Sequence, residues 1–256
     1  MMDSGRLTRA CLVTGGSRGI GAACSVRLAR DGYAVAVNYR SDEAAAKRIV
    51  AEIVDGGGVA VALQADVSSE AGVTSLFEQL DAAKLPPLAA LVNNAAIHFY
   101  DTDPLKDTTA QAFTTMMSTN VLGPFLCCRE AAVRMQPGSA IVNISSGSAY
   151  IGTPLLYSMS KGALNSMQVG LIKPLAAKGI RINTVSPGLT ETDMTQPLRN
   201  DPEKQAGLMA QIPLGRAGKP AEIAGAVSFL LSPDASYTCG ANIRVAGGRG
   251  PGTMLG

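Results

Sequence analysis

Short apolar segments alternate with longer amphipathic segments along almost the whole chain of 256 residues. This alternation is typical of β-α-β units, which build a parallel sheet covered by helices on both faces. Because the apolar segments are nearly continuous runs rich in Val and Ala, both faces of each strand are expected to be buried. The predicted strands are residues 10–14, 34–39, 59–64, 88–93, 140–145, 181–186 and 242–245. The predicted helices are residues 19–30, 41–55, 69–83, 110–134, 157–178 and 220–231.

Glycines and prolines mark the ends of these segments. Asp31-Gly32 follows the first predicted helix, Gly56-Gly57-Gly58 follows the second, and Pro86-Pro87 precedes the fourth predicted strand. Nothing in the sequence resembles an interdomain linker or a repeat. Residues 1–256 are therefore predicted to form one doubly wound α/β domain with a parallel seven-stranded sheet.

One long insertion interrupts the alternation at residues 189–213. It begins polar, contains three prolines and includes a short helix candidate over residues 203–211. An insertion of this length in a compact domain is usually a functional lid or a disordered loop. We interpret it as a lid over a substrate.

Composition excludes several classes of protein. Hydrophobic residues make up 46% of the chain and charged residues 16%, which is typical of a folded globular protein. The net charge is +2 and no run of Lys or Arg accompanies it, so neither a nucleic-acid partner nor an anionic membrane is expected. The longest apolar stretches, such as residues 121–128, are too short to span a bilayer. Since the first residues lack a signal-like apolar segment, a cytoplasmic protein is expected.

The cysteines and the single histidine do not form a pattern that predicts a metal site or a disulfide framework. No Cys-x-x-Cys pair occurs, and one histidine cannot complete a His/Cys cluster. The adjacent Cys127 and Cys128 lie in an apolar helical run, where buried thiols usually act as small hydrophobic side chains. We therefore expect no metal.

A glycine-rich turn follows the first predicted strand and opens the first predicted helix. It reads Thr14-Gly15-Gly16-Ser17-Arg18-Gly19-Ile20-Gly21. Glycines allow a tight bend and a close approach of the backbone, and the free N–H groups and dipole of a helix N-terminus attract phosphate. At the first β-α junction of a parallel sheet, this turn indicates a dinucleotide site.

The Gly-x-x-x-Gly-x-Gly spacing and a series of later motifs resemble the single-domain short-chain dehydrogenases/reductases. The resemblance runs from Leu12 to Gly248 and implies a Rossmann-type fold. Its other segments, all in family order, are Asp66-Val67, Asn93-Asn94-Ala95-Ala96, Asn120, Asn143-Ile144-Ser145-Ser146, Tyr157-Ser158-Met159-Ser160-Lys161, Pro187-Gly188-Leu189-Thr190-Glu191-Thr192-Asp193-Met194 and Ile212-Pro213-Leu214-Gly215-Arg216-Ala217-Gly218-Lys219-Pro220.

The resemblance implies a set of cofactor-binding residues. Asp66 would hold the adenine amino group, with Val67 packed near the ring, and Asn93 and Ala95 would line the adenosine ribose. Ala96 replaces the glycine that the family usually has, which tightens the pocket without abolishing binding. Thr192 would orient the nicotinamide carboxamide. The remaining implied contacts come from the glycine turn and from the segment after the sixth strand, namely Gly15, Ser17, Gly19, Ile20, Gly21, Pro187, Gly188 and Thr190.

The choice between NAD and NADP depends on charge at the end of the second strand. NAD-specific sites place an acidic residue there to bond the ribose 2′-hydroxyl. This chain has Asn38-Tyr39-Arg40-Ser41 instead, with no carboxylate before Asp42. Arg40 and Arg18 can form a guanidinium fork around a 2′-phosphate. NADP, as NADPH, is therefore predicted, and NAD is the less favoured cofactor.

Tyr157 and Lys161 lie four positions apart at the start of a predicted helix, so their side chains share one face. A phenol with a pKa near 10 is a poor acid–base catalyst at neutral pH unless a nearby cation stabilises the phenolate. Lys161 can supply that cation.

By resemblance, Tyr157, Lys161, Ser146 and Asn120 form the catalytic set. Tyr157 would donate a proton to the developing alkoxide, Ser146 would hydrogen-bond the same oxygen, and Asn120 would hold a water that links Lys161 to solvent. Ser145 and Ser148 are alternatives to Ser146. The separation of eleven between Ser146 and Tyr157 is a residue or two shorter than the family usually shows, which should reshape the substrate mouth.

His98 is the only histidine and follows the fourth strand in a loop near the cleft mouth. A lone histidine in a loop is more often a surface residue, so substrate contact is conceivable and a catalytic role is not expected. By the same reasoning, five apolar or aromatic residues are expected to line the pocket, namely Phe99, Tyr100, Tyr150, Ile151 and Leu155.

These observations predict an NADPH-dependent oxidoreductase that reduces a ketone or 3-oxoacyl carbonyl to a secondary alcohol. The segment from Ile212 to Pro220 and the Val245-Ala246-Gly247-Gly248 tail are most similar to the 3-oxoacyl-carrier-protein reductase branch. A dehydrogenase of a sugar, polyol, steroid-like or other secondary alcohol shares every motif and stays open. A non-catalytic nucleotide-binding regulator is the third reading, although such regulators typically lose the tyrosine or lysine. Similar enzymes are homotetramers built through residues 110–134, residues 157–178 and the last strand.

Overall fold

A computed structural model of the chain describes residues 7–99 and 103–250. Seven strands form one parallel sheet in the order β3-β2-β1-β4-β5-β6-β7, which confirms the predicted Rossmann-type doubly wound architecture. The strands are β1 (Ala10–Val13), β2 (Ala34–Tyr39), β3 (Ala60–Gln64), β4 (Leu88–Asn93), β5 (Ala140–Ile144), β6 (Arg181–Pro187) and β7 (Asn242–Val245).

Helices cover both faces of the sheet. One face packs against α1, α2 and α11, and the other packs against α3, α6 and α8. The helices of the described residues are α1 (Gly19–Arg30), α2 (Glu43–Asp55), α3 (Glu70–Ala82), α4 (Pro104–Asp107), α5 (Ala110–Met117), α6 (Gly123–Arg134), α7 (Ser148–Ile151), α8 (Leu155–Ala176), α9 (Gln196–Arg199), α10 (Pro202–Ala210) and α11 (Pro220–Leu231).

The central strands are buried on both faces, as their apolar runs predict. In β1, Cys11 and Val13 pack into the core on the α1 side, whereas Leu12 packs into the core on the α3 side. This is the alternation that a strand imposes on successive side chains. Strands without a solvent-facing side require helices on both faces, and the amphipathic segments between them provide those helices.

Two long predicted helices differ from the structure. Residues 110–134 do not form one uniform helix, because a π-helical turn at Ser118–Leu122 separates α5 from α6. The π turn is only five residues long, so hydrophobic periodicity does not distinguish it from the α-helices on either side. The helix predicted over residues 157–178 begins earlier, at Leu155, and ends at Ala176. Strand boundaries agree with the prediction to within one residue.

The strand order reverses at β1, which lies between β2 and β4. In an open parallel sheet, such a switch point leaves a crevice at the carboxyl ends of the strands, and ligands bind there. The glycine turn after β1 and the residues that follow β4, β5 and β6 all reach this edge. Among residues 7–99 and 103–250, no helix has both the length and the apolar composition that crossing a bilayer requires.

Candidate active site

A single cleft of about 870 Å³ runs along the carboxyl edge of the sheet and collects most of the predicted site residues. Its floor is the glycine turn and the ends of β4, β5 and β6, and the segment 189–213 forms part of its wall. The predicted residues that line it are Gly15, Ser17, Arg18, Gly19, Ile20, Asn38, Tyr39, Arg40, Ser41, Asp66, Val67, Ala95, Ser146, Tyr157, Lys161, Pro187, Gly188, Thr190 and Thr192.

Three predicted residues lie behind the cleft wall instead of lining it, namely Gly21, Asn93 and Asn120. Gly21 is a packing residue, since a Cβ there would collide with the Gly15 carbonyl and the Asn94 amide. The Asn93 side chain donates to Asn143 Oδ1 at 2.9 Å inside the sheet, so it does not reach a ribose. At this point the cleft is lined by Asn94, which the sequence analysis did not single out as a site residue. The Asn94 amide donates to the carbonyls of Thr14 and Gly15.

The glycine turn is built to receive an anion. Gly15 and Gly19 have positive φ values of 59° and 53°, which side chains other than glycine rarely adopt. The N-cap residue Arg18 makes no side-chain cap, and the first turn of α1 contains no acidic residue. The N–H groups and dipole of α1 therefore face the cleft, and the first turn of α1 itself contributes no carboxylate that would compete for them.

The end of β2 carries positive charge. Arg18 and Arg40 are both exposed and line the cleft. The first acidic residue after Arg40 in the sequence, Asp42, is the N-cap of α2 and accepts from Ala45 N at 2.9 Å. Asn38 holds the glycine turn in position, because its Oδ1 accepts from Gly15 N and its Nδ2 donates to the carbonyls of Leu63 and Ala65. This end of the cleft suits a phosphate better than a ribose hydroxyl that needs an acceptor.

Lys161 and Tyr157 share the first turns of α8. The Lys161 Nζ lies 5.5 Å from the centre of the Tyr157 ring and donates to the Ile144 carbonyl at 2.8 Å. Lys161 is only 2% exposed, and burial lowers its pKa to about 7. A protonated Lys161 would therefore place its positive charge beside the Tyr157 ring, on the helix face that the spacing of four predicts.

The burial of Lys161 predicts how stability depends on pH. Its pKa in the folded chain, about 7, lies below the value near 10.4 of an unfolded lysine, so the unfolded state binds more protons between these values. Lys161 therefore makes the free energy of unfolding of the cofactor-free protein rise with pH across this window, by at most about 1.4 kcal/mol per unit. In Lys161→Met this contribution is absent. We expect the free energy of unfolding of the variant to exceed that of wild type at pH 7, and the difference to decrease towards pH 9. Urea unfolding of both proteins at three pH values measures this difference, and free energies that change with pH in parallel would contradict the lowered pKa of Lys161.

The two serines that follow β5 lie in different environments. The Ser145 hydroxyl is buried and donates to the Lys161 carbonyl at 3.2 Å. The Ser146 hydroxyl lines the cleft and accepts from Ser148 N at 3.1 Å, and no acceptor for its own O–H occurs among the described residues. Geometry therefore favours Ser146 over Ser145 as the hydroxyl that can donate into the cleft.

Asn120 lies in the π-helical turn and ties it to the loop after β4. Its Oδ1 accepts from Ile97 N at 2.9 Å, and its Nδ2 donates to the Ile97 carbonyl and to Ser160 Oγ at 3.0 Å each. The Ser160 hydroxyl in turn donates to the Tyr157 carbonyl. Asn120 thus fixes the positions of two cleft walls, and its side chain is occupied by protein contacts.

His98 lies in the cleft, whereas a surface position was the more expected one. Its ring centre is 4.8 Å from that of Tyr157, with the planes tilted by 53°. Phe99 and Ile151 also line the cleft, Leu155 does not, and Tyr150 is exposed beside it. Tyr100 lies outside the described residues. The position of His98 two residues after the Ala95-Ala96 pair was the signal available in the sequence.

The segment 189–213 is largely helical. It contains a 3₁₀ turn at Asp193–Thr195 followed by α9 and α10, and its first residues pair with Gly218 through backbone hydrogen bonds. It presents apolar side chains to the cleft through Met194, Leu198 and Leu208, which the sequence analysis did not identify.

Known proteins resemble the chain over nearly its full length. Residues 15–249 match the family model described as enoyl-(acyl carrier protein) reductase. The uncharacterized oxidoreductase YgfF of Escherichia coli K12 is 44% identical over 246 residues, covering 93% of this chain and 98% of the relative. The 3-oxoacyl-[acyl-carrier-protein] reductase FabG of Staphylococcus aureus Mu50 is 35% identical, covering 95% and 98%. Among solved structures, the angucycline C-6 ketoreductase LanV with bound NADP superposes with a TM-score of 0.89 at 35% identity, covering 98% of each chain.

Proposed function

Because the chain belongs to the short-chain dehydrogenase/reductase family of oxidoreductases, we propose that it reduces a ketone or 3-oxoacyl carbonyl to a secondary alcohol with NADPH. The observation that carries the proposal is one cleft that combines an anion-receiving glycine turn with the Ser146, Tyr157 and Lys161 side chains. The similarity to FabG and to an NADP-bound ketoreductase supports it.

The described residues fit an NADP dinucleotide. The open N-terminus of α1 would receive the pyrophosphate, Arg18 and Arg40 would bind the 2′-phosphate, and Asp66 with Val67 would hold the adenine. The lack of a side chain at Gly19 keeps space open beside Thr192, because a Cβ at Gly19 would lie 3.2 Å from Thr192 Cγ2. Residues after β6 would hold the nicotinamide end, namely Pro187, Gly188, Thr190 and Thr192. When bound, NADPH supplies the hydride.

The side chains of the protein would then supply the proton that the reduced carbonyl oxygen takes up. Tyr157 donates it to the substrate carbonyl oxygen, which becomes the alcohol, and Ser146 hydrogen-bonds that oxygen as negative charge develops. Lys161 in its protonated form would stabilise the Tyr157 phenolate and, because it lines the same cleft, would bind the nicotinamide ribose. Because the Asn120 side chain is occupied, a water that links Lys161 to solvent would bind the backbone of the π-helical turn.

A second substrate class has its own support. The apolar side chains of the lid, together with Phe99 and Ile151, make walls that suit a bulky cyclic ketone, and the similar LanV is named as a ketoreductase of an angucycline. A steroid-like or other cyclic ketone is therefore the alternative to a 3-oxoacyl thioester. Sugar and polyol substrates are less favoured, since these walls offer them few polar partners.

Nicotinamide oxidation tests the proposal. Purified protein is mixed with an acetoacetyl thioester or a cyclic ketone, with NADPH and NADH in parallel assays. Turnover that requires NADPH is expected with at least one of the two classes, and the faster class identifies the substrate type. Absence of turnover with both classes would contradict the proposed function.

We further propose a cytoplasmic homotetramer. All five cysteines are free, as is usual in a reducing compartment, and NADPH is a cytoplasmic reductant. Exposed apolar side chains on α5, α6 and α8, including Phe113, Phe125, Val133 and Val169, suit the helix interfaces that the family uses, and β7 is an edge strand. Light scattering should give about four times the chain mass of 26.3 kDa. A monomer at micromolar concentration would contradict the assembly.

A further inference from the structure

Two arginines that the proposed mechanism does not use line the part of the cleft where the substrate would lie. Here this part is called the substrate half, and it is bounded by α7, the segment 189–213 and the residues after β7. Arg244 is in β7, and Arg249 follows it by five residues. Between them, Ala246 packs against Gly188, because a Cβ on Gly188 would approach Ala246 Cα to 2.8 Å. Both arginines therefore flank the turn that ends β6.

Arg244 connects β7 to the loop that follows Ser146. Its guanidinium carbon lies 5.3 Å from the centre of the Tyr150 ring on α7, and its Nη2 donates to the Arg249 carbonyl. No carboxylate forms an ion pair with Arg244 among the described residues. An aromatic ring and a carbonyl hold the guanidinium in place without neutralising its charge.

Arg249 connects the segment after β7 to the base of the lid. Its Nη2 donates to Gln211 Oε1 at 2.7 Å, and its backbone N–H donates to the Ala246 carbonyl. Burial lowers the pKa of Arg249, whereas the carboxylate of Glu222 raises the pKa of the surface residue Arg216. A partly desolvated guanidinium interacts more strongly with an anion than an exposed one does.

Among the described residues that line the substrate half, basic side chains outnumber acidic ones. Of the acidic side chains that line the cleft within the described residues, Asp42 and Asp66 lie at the adenosine end, and only Asp193 belongs to the lid. The described lining of this half therefore contains two arginines and one exposed carboxylate, and its other walls include Met194 and Leu208. An apolar wall with cationic groups beside it is complementary to an amphipathic anion.

We propose that Arg244 and Arg249 bind an anionic group of the substrate, while an apolar stretch of the substrate packs against the lid and presents its carbonyl to Tyr157. This inference rests on the proposed function and deepens it. The shared chemistry is an oxygen anion, which a carboxylate of a keto acid or a phosphate of a thioester carrier can supply. Neutral ketones lack this contact and would be poorer substrates.

Two matched pairs of substrates separate these sources. The first pair is 7-oxooctanoate and 7-oxooctanamide, which have nearly the same size and differ in charge at the end remote from the ketone. The second is acetoacetyl phosphopantetheine and acetoacetyl pantetheine, which share the thioester and the pantetheine arm and differ in one phosphate. In at least one of the two pairs, we expect kcat/KM of the charged member to be at least about tenfold higher than that of its neutral partner, since hydrogen bonds to charged groups contribute that much.

Arg244→Gln and Arg249→Gln should lower kcat/KM for the charged member at least fivefold more than for its neutral partner. Arg30→Gln, which removes an exposed arginine at the end of α1, is the matched control and should change neither. Equal kcat/KM values within both pairs, or equal losses for both members in the two variants, would overturn the inference. So would a loss of NADPH affinity in the variants, because the arginines would then serve the cofactor.

A binding measurement keeps this inference separate from the proposed function. Octanoate and octanamide are titrated calorimetrically into protein saturated with NADP⁺. Tighter binding of octanoate that disappears in Arg249→Gln supports the anion site even if no ketone is reduced, in which case the proposed function alone fails. Equal affinities for the acid and the amide, together with equal turnover of the matched substrates, would remove the anion site while leaving the reductase intact.

Discussion

Tyr157→Phe is expected to lower kcat about 10²- to 10⁴-fold while leaving the dissociation constant for NADPH within about twofold, since general acid catalysis contributes rate enhancements of that size. The substitution removes one hydroxyl and keeps the ring that packs against His98 and lies near Lys161. The proton donor is lost, whereas the glycine turn and the arginines at the end of β2 are untouched. Stopped-flow turnover and fluorescence titration of bound NADPH measure the two quantities separately.

Tyr237→Phe is the matched control for this experiment. Tyr237 is fully exposed, lies beyond α11 and does not line the cleft, so the same chemical change there should leave kcat unaltered. A Tyr157→Phe enzyme that retains more than a tenth of wild-type kcat would remove Tyr157 from the mechanism. An equal loss of NADPH affinity would show a structural effect instead of a catalytic one.

The double variant Arg18→Ala/Arg40→Ala is expected to abolish the preference for NADPH over NADH. Hydrogen bonds to charged groups contribute about 1.5–3 kcal/mol each, but both side chains are exposed and screened, so the lower part of that range applies. We expect KM for NADPH to rise about 10²-fold and KM for NADH to change less than threefold. Steady-state kinetics with each cofactor at constant substrate measure the change.

Arg48→Gln controls for the loss of positive charge as such, because Arg48 is exposed on α2 and does not line the cleft. Raising the salt concentration should reduce the wild-type preference and leave the double variant unaffected, since screening acts on the arginine–phosphate attraction. If the double variant keeps the preference, the 2′-phosphate is held by other groups and the electrostatic argument at the end of β2 is wrong.

The sheet was predictable from sequence because each strand is an uninterrupted apolar run with punctuation at its ends. The π-helical turn between α5 and α6 was not, since it follows from contacts distant in sequence. Asn120 at this turn bonds both backbone groups of Ile97, twenty-three residues away, and it also bonds Ser160 on α8. Hydrophobic periodicity carries no record of such contacts, so it favoured a continuous helix.

The candidate site was predictable where a motif and a physical role coincide, as at Tyr157 with Lys161 or at the glycine turn. Asn93 shows the limit, because it and the adjacent Asn94 point to opposite sides at the end of β4. Asn93 enters the sheet and Asn94 supports the cleft. Arg244 and Arg249 escaped for a related reason, since rim residues come from separate loops and have no shared spacing, whereas His98 was placed near the cleft mouth by its position after β4. Only the fold brings the segment after β7 beside the base of the lid.

Deuterium transfer from NADPH to a ketone shows directly whether this cleft is a reductase site. NADPH that carries deuterium at both C4 positions of the nicotinamide is incubated with the protein and either an acetoacetyl thioester or a cyclic ketone, and the product is analysed by mass spectrometry. We expect one deuterium on the carbinol carbon of the product, and we expect its transfer to be faster from labelled NADPH than from labelled NADH and at least about a hundredfold slower in Tyr157→Phe. A protein that binds NADPH but transfers no deuterium to either ketone would contradict the assignment of this cleft as a reductase site.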